Sequence, residues 1–208
     1  NFDDEAVIKF EIVQKGAHSW FGEFYPPRYR HLFYSSLIFN YSQGQLNPFG
    51  YHLVNTIFHF FTLTVIFFIA SITTEKGFSL EKRESLSIAS LTTLLFAINP
   101  VHSETVNYIS ARAVGMSSFF YLAALLSFIV GSFREKKIAP RLSLYFLSFL
   151  TFLASILSKE TALTFPIAVI LYDVCFIRKE CWINLKNRLM FFYLPLFMCT
   201  AFVVFKSF

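Results

Sequence analysis

Apolar residues run almost unbroken through six stretches of this 208-residue chain, and the polar residues gather between them. Residues 51–73 contain no acidic or basic residue apart from His52 and His59. At 1.5 Å per residue, a helix over that run is roughly 35 Å long, enough to cross a bilayer. Residues 86–100 form a shorter run that stops at Asn99-Pro100, and 116–133, 142–157, 161–177 and 189–205 are the third to sixth. Residues 1–50 hold no such run. They open acidic, turn aromatic through Trp20-Phe21 and Phe24-Tyr25, and pass through Pro26-Pro27. Aromatic and basic residues interleaved in this way suit a segment lying at a membrane interface. The expected fold is all-α, a polytopic transmembrane helical bundle over residues 51–208. A loop segment, 1–50, with an acidic motif and interfacial helices precedes it.

Composition agrees. The chain is 55% hydrophobic and 15% charged, with 29 Phe and only 7 Gly and 7 Pro, and its mean hydropathy is +0.54. Charged residues make up about a quarter of a soluble domain. Disordered and collagen-like classes are excluded, because so much apolar surface must be buried in protein or lipid. Cys175, Cys181 and Cys199 have no CxxC spacing and imply no disulfide framework. The chain starts Asn1-Phe2-Asp3 without Met and ends within an apolar run, so it reads as a piece of something longer.

The formal charge of +5 would suit nucleic acid if the cations formed a patch, but they lie between apolar runs. Loop 74–85 carries Lys76, Lys82 and Arg83, and loop 134–141 carries Arg134, Lys136, Lys137 and Arg141. Loop 178–188 carries Arg178, Lys179, Lys186 and Arg188. Helices that alternate in direction put these three loops, with 11 of the 18 Lys and Arg residues, on one face. The positive-inside rule makes that face cytoplasmic and residues 1–50 non-cytoplasmic. No nucleic-acid partner is expected.

Every unusual polar cluster then falls on the non-cytoplasmic face: Asp3-Asp4-Glu5, the His102-Ser103-Glu104 stretch after Asn99-Pro100, Arg112, and Ser158-Lys159-Glu160. Charges near membrane depth are costly and usually pair or line a polar cavity. Carboxylates, a histidine and two cations on one face describe a site for a phosphate-bearing substrate. Each cluster also has a plainer explanation. The acidic triplet would serve as a helix start, Lys159-Glu160 as an interfacial ion pair, and Arg112 as a snorkelling side chain. His52, Asn55 and His59 share a helical face, where helix–helix hydrogen bonding explains them better than a metal. The two histidines stand roughly 10 Å apart along the helix, too far to share one ion. No metal-ligand motif is visible, and a carboxylate-bound divalent ion stays open.

Several of these strings, in order, resemble the membrane domain of the transmembrane-and-TPR-repeat O-mannosyltransferases. The matching residues are Phe2-Asp3-Asp4, then Tyr29-Arg30-His31-Leu32, then Leu46-Asn47-Pro48-Phe49-Gly50-Tyr51-His52-Leu53-Val54-Asn55 and His59. Leu95-Phe96-Ala97-Ile98-Asn99-Pro100-Val101-His102-Ser103-Glu104-Thr105-Val106 follows, where the family typically reads L-F-A-x-H-P-x-H-x-E-x-V. Leu157-Ser158-Lys159-Glu160 and Tyr172-Asp173 fit the later pattern. Three positions depart from it: His31 replaces a Pro, Asn99 replaces a His, and Ala111-Arg112-Ala113-Val114 lacks the acidic residue of G-R-A-D.

The resemblance implies a glycosyltransferase of the GT-C type in the bacterial inner membrane or the endoplasmic reticulum. It implies a polyprenyl-phosphate sugar as donor, a protein hydroxyl as acceptor, and TPR repeats beyond the membrane part. Mannose is the implied sugar, and the three departures leave another sugar open. Asp4, with Asp3 next, is expected to act as the base, and Lys159 and Arg112 to hold the donor phosphate. His102, Glu104, Glu160 and Arg30 would support them. A transporter or flippase for a lipid-linked or polar solute is the alternative. Asn55, His59 and Thr62 inside a span favour it, and the absence of an internal repeat opposes it.

Overall fold

The computed structural model describes Val13 and residues 30–133, 138–177 and 193–207. Among these the chain is helical, with no strand. Helix α1 is His31–Gly44, α2 Pro48–Ile72, α3 Lys82–Ala97, α4 Val101–Asn107 and α5 Arg112–Phe133. Helix α6 is Ile138–Ser158, α7 Phe165–Tyr172 and α8 Leu194–Ser207. The chain is an all-α polytopic bundle. Among the described residues four helical segments are long and apolar enough to cross a membrane: Pro48–Gly77, Arg112–Phe133, Arg141–Ser158 and Glu160–Ile177. The pair α3 and α4 makes a fifth if its bent halves count as one span.

Local chemistry sets the helix ends. Asn47 caps α2 by accepting a hydrogen bond from the Phe49 amide at 3.1 Å, and Pro48 supplies the first turn. The second apolar run becomes helical earlier than its hydropathy suggests, at Lys82, because Glu84 in the first turn suits a helix N-terminus. It then breaks at Asn99-Pro100, where α4 leaves α3 at 66°. Pro100 lacks an amide hydrogen, and the Asn99 side chain accepts from the Val101 amide at 3.1 Å, turning the chain into α4. Arg112 opens α5 rather than sitting in a turn before it. The 161–177 run is composite. A 3₁₀ turn, Glu160–Thr164, precedes α7, and a π turn, Asp173–Ile177, follows it.

Helices α5 and α6 form the tightest pair. Ser117, Ala124 and Gly131 repeat every seven residues along α5, and Ser155 and Ser148 face them in antiparallel register from α6. The Ser155 hydroxyl donates to the Ser117 carbonyl at 2.8 Å, and Ser148 donates to the Ala124 carbonyl at 2.7 Å. At the far end, the Arg141 guanidinium Nε donates to the Gly131 carbonyl at 3.3 Å. A Cβ on Gly131 would lie 3.0 Å from the Tyr145 ring, so any larger residue there would press the ring aside by a few tenths of an ångström. Small residues that admit backbone contact are how helices associate where lipid removes the hydrophobic drive between them. The core around this pair adds Phe128, Phe152, Phe165, Val169 and Leu196, while Phe60, Leu91, Phe146 and Ile167 are left exposed. Such outward apolar side chains suit a lipid surround.

The two ends of the bundle differ. At one, the Thr73 and Tyr172 hydroxyls lie 2.6 Å apart, and Tyr193 donates to buried Asp173 at 3.0 Å, tying α2, α7 and α8 together. At the other lie the start of α2, the α3–α4 break, the start of α5 and the 3₁₀ turn. Substituting Ala124 by Leu wedges α5 from α6 and is expected to cost about 1–3 kcal/mol. Ser148→Ala removes one interhelical bond and costs only about 0.6 kcal/mol. Unfolding titrations in mixed micelles measure both, and a larger loss for Ser148→Ala would make the hydrogen bond, not the close approach, the main contact.

Candidate functional site

The site is built around a buried cation. Arg112 is 1% exposed, and each nitrogen of its guanidinium has a protein partner. Its Nε donates to Asn55 Oδ1 at 2.9 Å, and Nη1 donates to Asn40 Oδ1 at 2.6 Å and to the Ser36 carbonyl at 3.3 Å. Nη2 donates to the Tyr51 carbonyl at 2.9 Å, and the cation stands 5.4 Å from the centre of the Tyr51 ring. These acceptors come from α1 and α2 because Ser36 and Asn40 share a face with Phe33 and Leu37, and Asn55 lies one turn beyond Tyr51. The acceptors are all neutral. Neither Glu104 nor Glu160 pairs with Arg112, and the side chain does not snorkel.

Glu160 pairs instead with Arg30. The Arg30 Nη2 meets Glu160 Oε1 at 2.9 Å and its Nε meets Oε2 at 3.3 Å, the two-pronged geometry that suits a carboxylate. The hydrogen bonds that Arg30 donates to Glu160 raise its pKa, so the cation stays charged. The contact bridges 130 residues and joins the start of α1 to the turn between α6 and α7. Both side chains are about half exposed. Lys159, beside Glu160, is half-buried and makes no ion pair among the described residues. Unlike Arg30 it has no carboxylate in an ion pair among those residues, and unlike Arg112 it is not enclosed in the core.

His102 is half-buried on α4 and stacks on Phe96 of α3 with ring centres 3.9 Å apart. His59 of α2 lies 5.9 Å from His102, so the histidine of the α2 stripe meets the histidine of the α4 motif. Glu104 is exposed on the same short helix. An open cleft of about 370 Å³ lies beside this stack, with Phe96, His102, Ser117, Tyr121, Thr161 and Ala162 among its walls. The cleft wall includes Thr161, two residues after Lys159. Among the described residues no three His, Cys, Asp or Glu come together as a metal-ligand set. Asp3 and Asp4 lie outside the described residues.

The structure thus gathers Arg30, His102, Glu104, Lys159 and Glu160 at one end of the bundle. It places Arg112 in the core, and Arg112 is not among the residues that line the cleft. Asn40 went unnoticed in the sequence. Its signal was an amide on the apolar face of a predicted interfacial helix, a position that calls for a buried partner. The Arg30–Glu160 pair is expected to contribute only about 0.2–1 kcal/mol of coupling energy, because both groups are partly solvated. A double-mutant cycle of Arg30→Gln and Glu160→Gln at 50 mM and 500 mM salt measures it. Coupling that is undiminished by salt would show a contact more deeply desolvated than its exposure implies.

No family model matches the chain, and no solved structure matches it. Curated relatives do. The chain is 32% identical over 165 residues to the protein O-mannosyl-transferase Tmtc1 of Drosophila melanogaster, covering 79% of this chain and 16% of that protein. It is 31% identical over 159 residues to Tmtc3 of the same organism, covering 70% of this chain and 17% of that one. It is 37% identical over 100 residues to the protein O-mannosyl-transferase TMTC3 of Mus musculus, covering 48% of this chain and 10% of the mouse protein. The chain therefore spans well under a fifth of the length of these relatives. Four to five apolar helices, the polar motifs gathered at one end of them and these relatives together lead to one conclusion: the chain belongs to the protein O-mannosyl-transferase TMTC family.

Proposed function

We propose that this chain is part of a membrane glycosyltransferase that moves a hexose, mannose in the simplest case, from a polyprenyl-phosphate carrier to a protein hydroxyl. The observation that carries the reading is Lys159, a cation without an ion pair among the described residues, two residues before Thr161 in the wall of an open and mainly apolar cleft. An amphiphilic donor needs both features. Its lipid lies against apolar helix faces while its phosphate meets a fixed cation at the boundary. The relatives' names support the class of reaction.

In this reading, the Asp4 carboxylate, with Asp3 beside it, accepts the proton of the acceptor hydroxyl. The hydroxyl oxygen bonds to the anomeric carbon as the bond from that carbon to the phosphate oxygen breaks. Polyprenyl phosphate leaves with the electron pair, and Lys159 stabilises the charge that grows on it. Arg30 holds Glu160 in a two-pronged pair, which leaves the Lys159 ammonium without an ion-pair contact of its own among the described residues. His102 and Glu104 face the acceptor side. Arg112 does not touch the phosphate. The GT-C type of fold and a non-cytoplasmic active site belong to the same proposal, the latter on the strength of the basic loops opposite. The transporter alternative loses support, because two of the three α2 residues that favoured it, Asn55 and Thr62, have their hydrogen bonds within the bundle. Asn55 serves Arg112 and two carbonyls, and the Thr62 hydroxyl donates to the Phe58 carbonyl at 2.8 Å.

Two experiments test this. In a variant lacking native cysteines, Cys at exposed Ser103 should react with an impermeant thiol reagent in sealed cells or vesicles of known orientation. Cys at exposed Lys82 should react only after permeabilisation, and the reverse pattern would move the site to the cytoplasm. In transfer assays with radiolabelled polyprenyl-phosphate mannose and the full-length protein, Lys159→Gln should raise the donor KM and lower kcat. Asp4→Asn should slow transfer by about 10²–10⁴-fold with normal insertion. Donor kinetics indifferent to Lys159→Gln would remove the lysine from the site.

A further inference from the structure

We propose that Arg112 is a positioning residue, which acts through Asn55 to hold α4, and with it His102 and Glu104, in place beside the cleft. A guanidinium only donates, so the amide facing it must present oxygen. Nε of Arg112 takes Asn55 Oδ1 at 2.9 Å, which turns Asn55 Nδ2 the other way. That nitrogen donates to the Tyr108 carbonyl at 3.1 Å and the Val106 carbonyl at 3.3 Å. Both carbonyls sit at the C-terminal end of α4, where the last turn of a helix has no partners of its own. Asn55 therefore closes the end of α4 from a neighbouring helix, and Arg112 sets which way Asn55 points.

Helix α4 needs such a hold. It has seven residues, too few to be stable alone, and it joins α3 through the 66° break at Asn99-Pro100. Between the break and Tyr108 it carries His102, stacked on Phe96, and exposed Glu104. The same guanidinium fixes a second amide in the same sense. Asn40 Oδ1 faces Arg112 at 2.6 Å, and Asn40 Nδ2 donates to the Gly50 carbonyl at 3.3 Å. One cation thus locks α1 to α2 and α2 to the end of α4. Lysine cannot replace it, because one ammonium cannot reach the Asn55, Asn40 and Tyr51 oxygens in the fan of directions that the guanidinium spans.

The activity half of the test rests on the transferase reading, and the structural half does not. A spin label at exposed Ser103 of α4 reports the mobility of that helix, and one at exposed Ser87 of α3 serves as reference. In the full-length protein in nanodiscs, Arg112→Lys and Asn55→Ala should each mobilise the Ser103 label and leave the Ser87 label unchanged. The double variant should be no more mobile than the worse single one, since both act through one link. In transfer assays with polyprenyl-phosphate mannose, kcat should fall by about 10–100-fold while the donor KM stays within about twofold, as a misplaced group far from the phosphate would produce. An immobile Ser103 label in both variants, or equal loosening at Ser87, overturns the proposal. So does a donor KM that is raised in Arg112→Gln and restored in Arg112→Lys, which would assign the cation to the phosphate. If wild type shows no transfer at all, the function fails while the label result still decides the positioning role.

Discussion

A guanidinium enclosed by apolar helices must match its N–H groups to oxygens, and that requirement organises one whole end of this bundle. Moving an ion from water to the protein interior costs several kcal/mol even after relaxation, and good hydrogen-bond geometry must offset it. The shell of Arg112 does so with two side-chain amides and two carbonyls, drawn from two helices. None of the partners is charged. The field of the cation is therefore shared among dipoles rather than cancelled, and the site in front keeps a positive background. Replacing Arg112 by an apolar residue would orphan both amides, each at about 1–3 kcal/mol, so the position is constrained from both sides.

The opposite requirement governs α5 and α6. There the helices meet through residues that offer almost no side chain, with serine hydroxyls reaching the partner backbone at 2.7 and 2.8 Å. Close approach fixes the register of the two helices, and register fixes the ends. It sets Ser158, Lys159 and Glu160 at the height of the first turn of α5, beside the α1 and α2 residues that grip Arg112. Arg30 then meets Glu160 across 130 residues of sequence. The packed middle and the polar end are thus one construction. A slip of α6 by one residue would turn Ser148 and Ser155 off the contact and carry Lys159 away from the cleft.

Much of this was legible in the chain itself. Five of the six apolar runs coincide with candidate spans, counting the bent α3–α4 pair as one, and the sixth, 189–205, lies partly outside the described residues. The Asn-Pro pair marked the α3–α4 break, since proline removes a donor whatever surrounds it. The gathering of Arg30, His102, Lys159 and Glu160 at one end followed from alternating helix direction alone. Pairings were another matter. The oxygens that meet Arg112 belong to amides and carbonyls, which no charge pattern reveals. Asn40 was hidden for the same reason. The small-residue heptad on α5 was present in the sequence as Ser117, Ala124 and Gly131, but it reads as a contact only when Ser148 and Ser155 are known to oppose it.

Two cations at one end, Arg112 and Lys159, carry the same formal charge and differ in everything that decides a role. Arg112 has a fixed fork, several acceptors and no access to solvent. Lys159 has a flexible stem, one donor group and a neighbouring glutamate already engaged by Arg30. In the proposed reaction, a phosphate that arrives and departs needs a cation it can reach and release, and of these two the lysine fits that role. A short helix held at an angle to its predecessor needs a partner that never moves, and only the arginine satisfies that. Hydration argues the same way, because an ammonium is strongly hydrated and belongs at the water boundary, whereas a guanidinium tolerates burial. The division of labour follows from the two head groups and from where the helices place them.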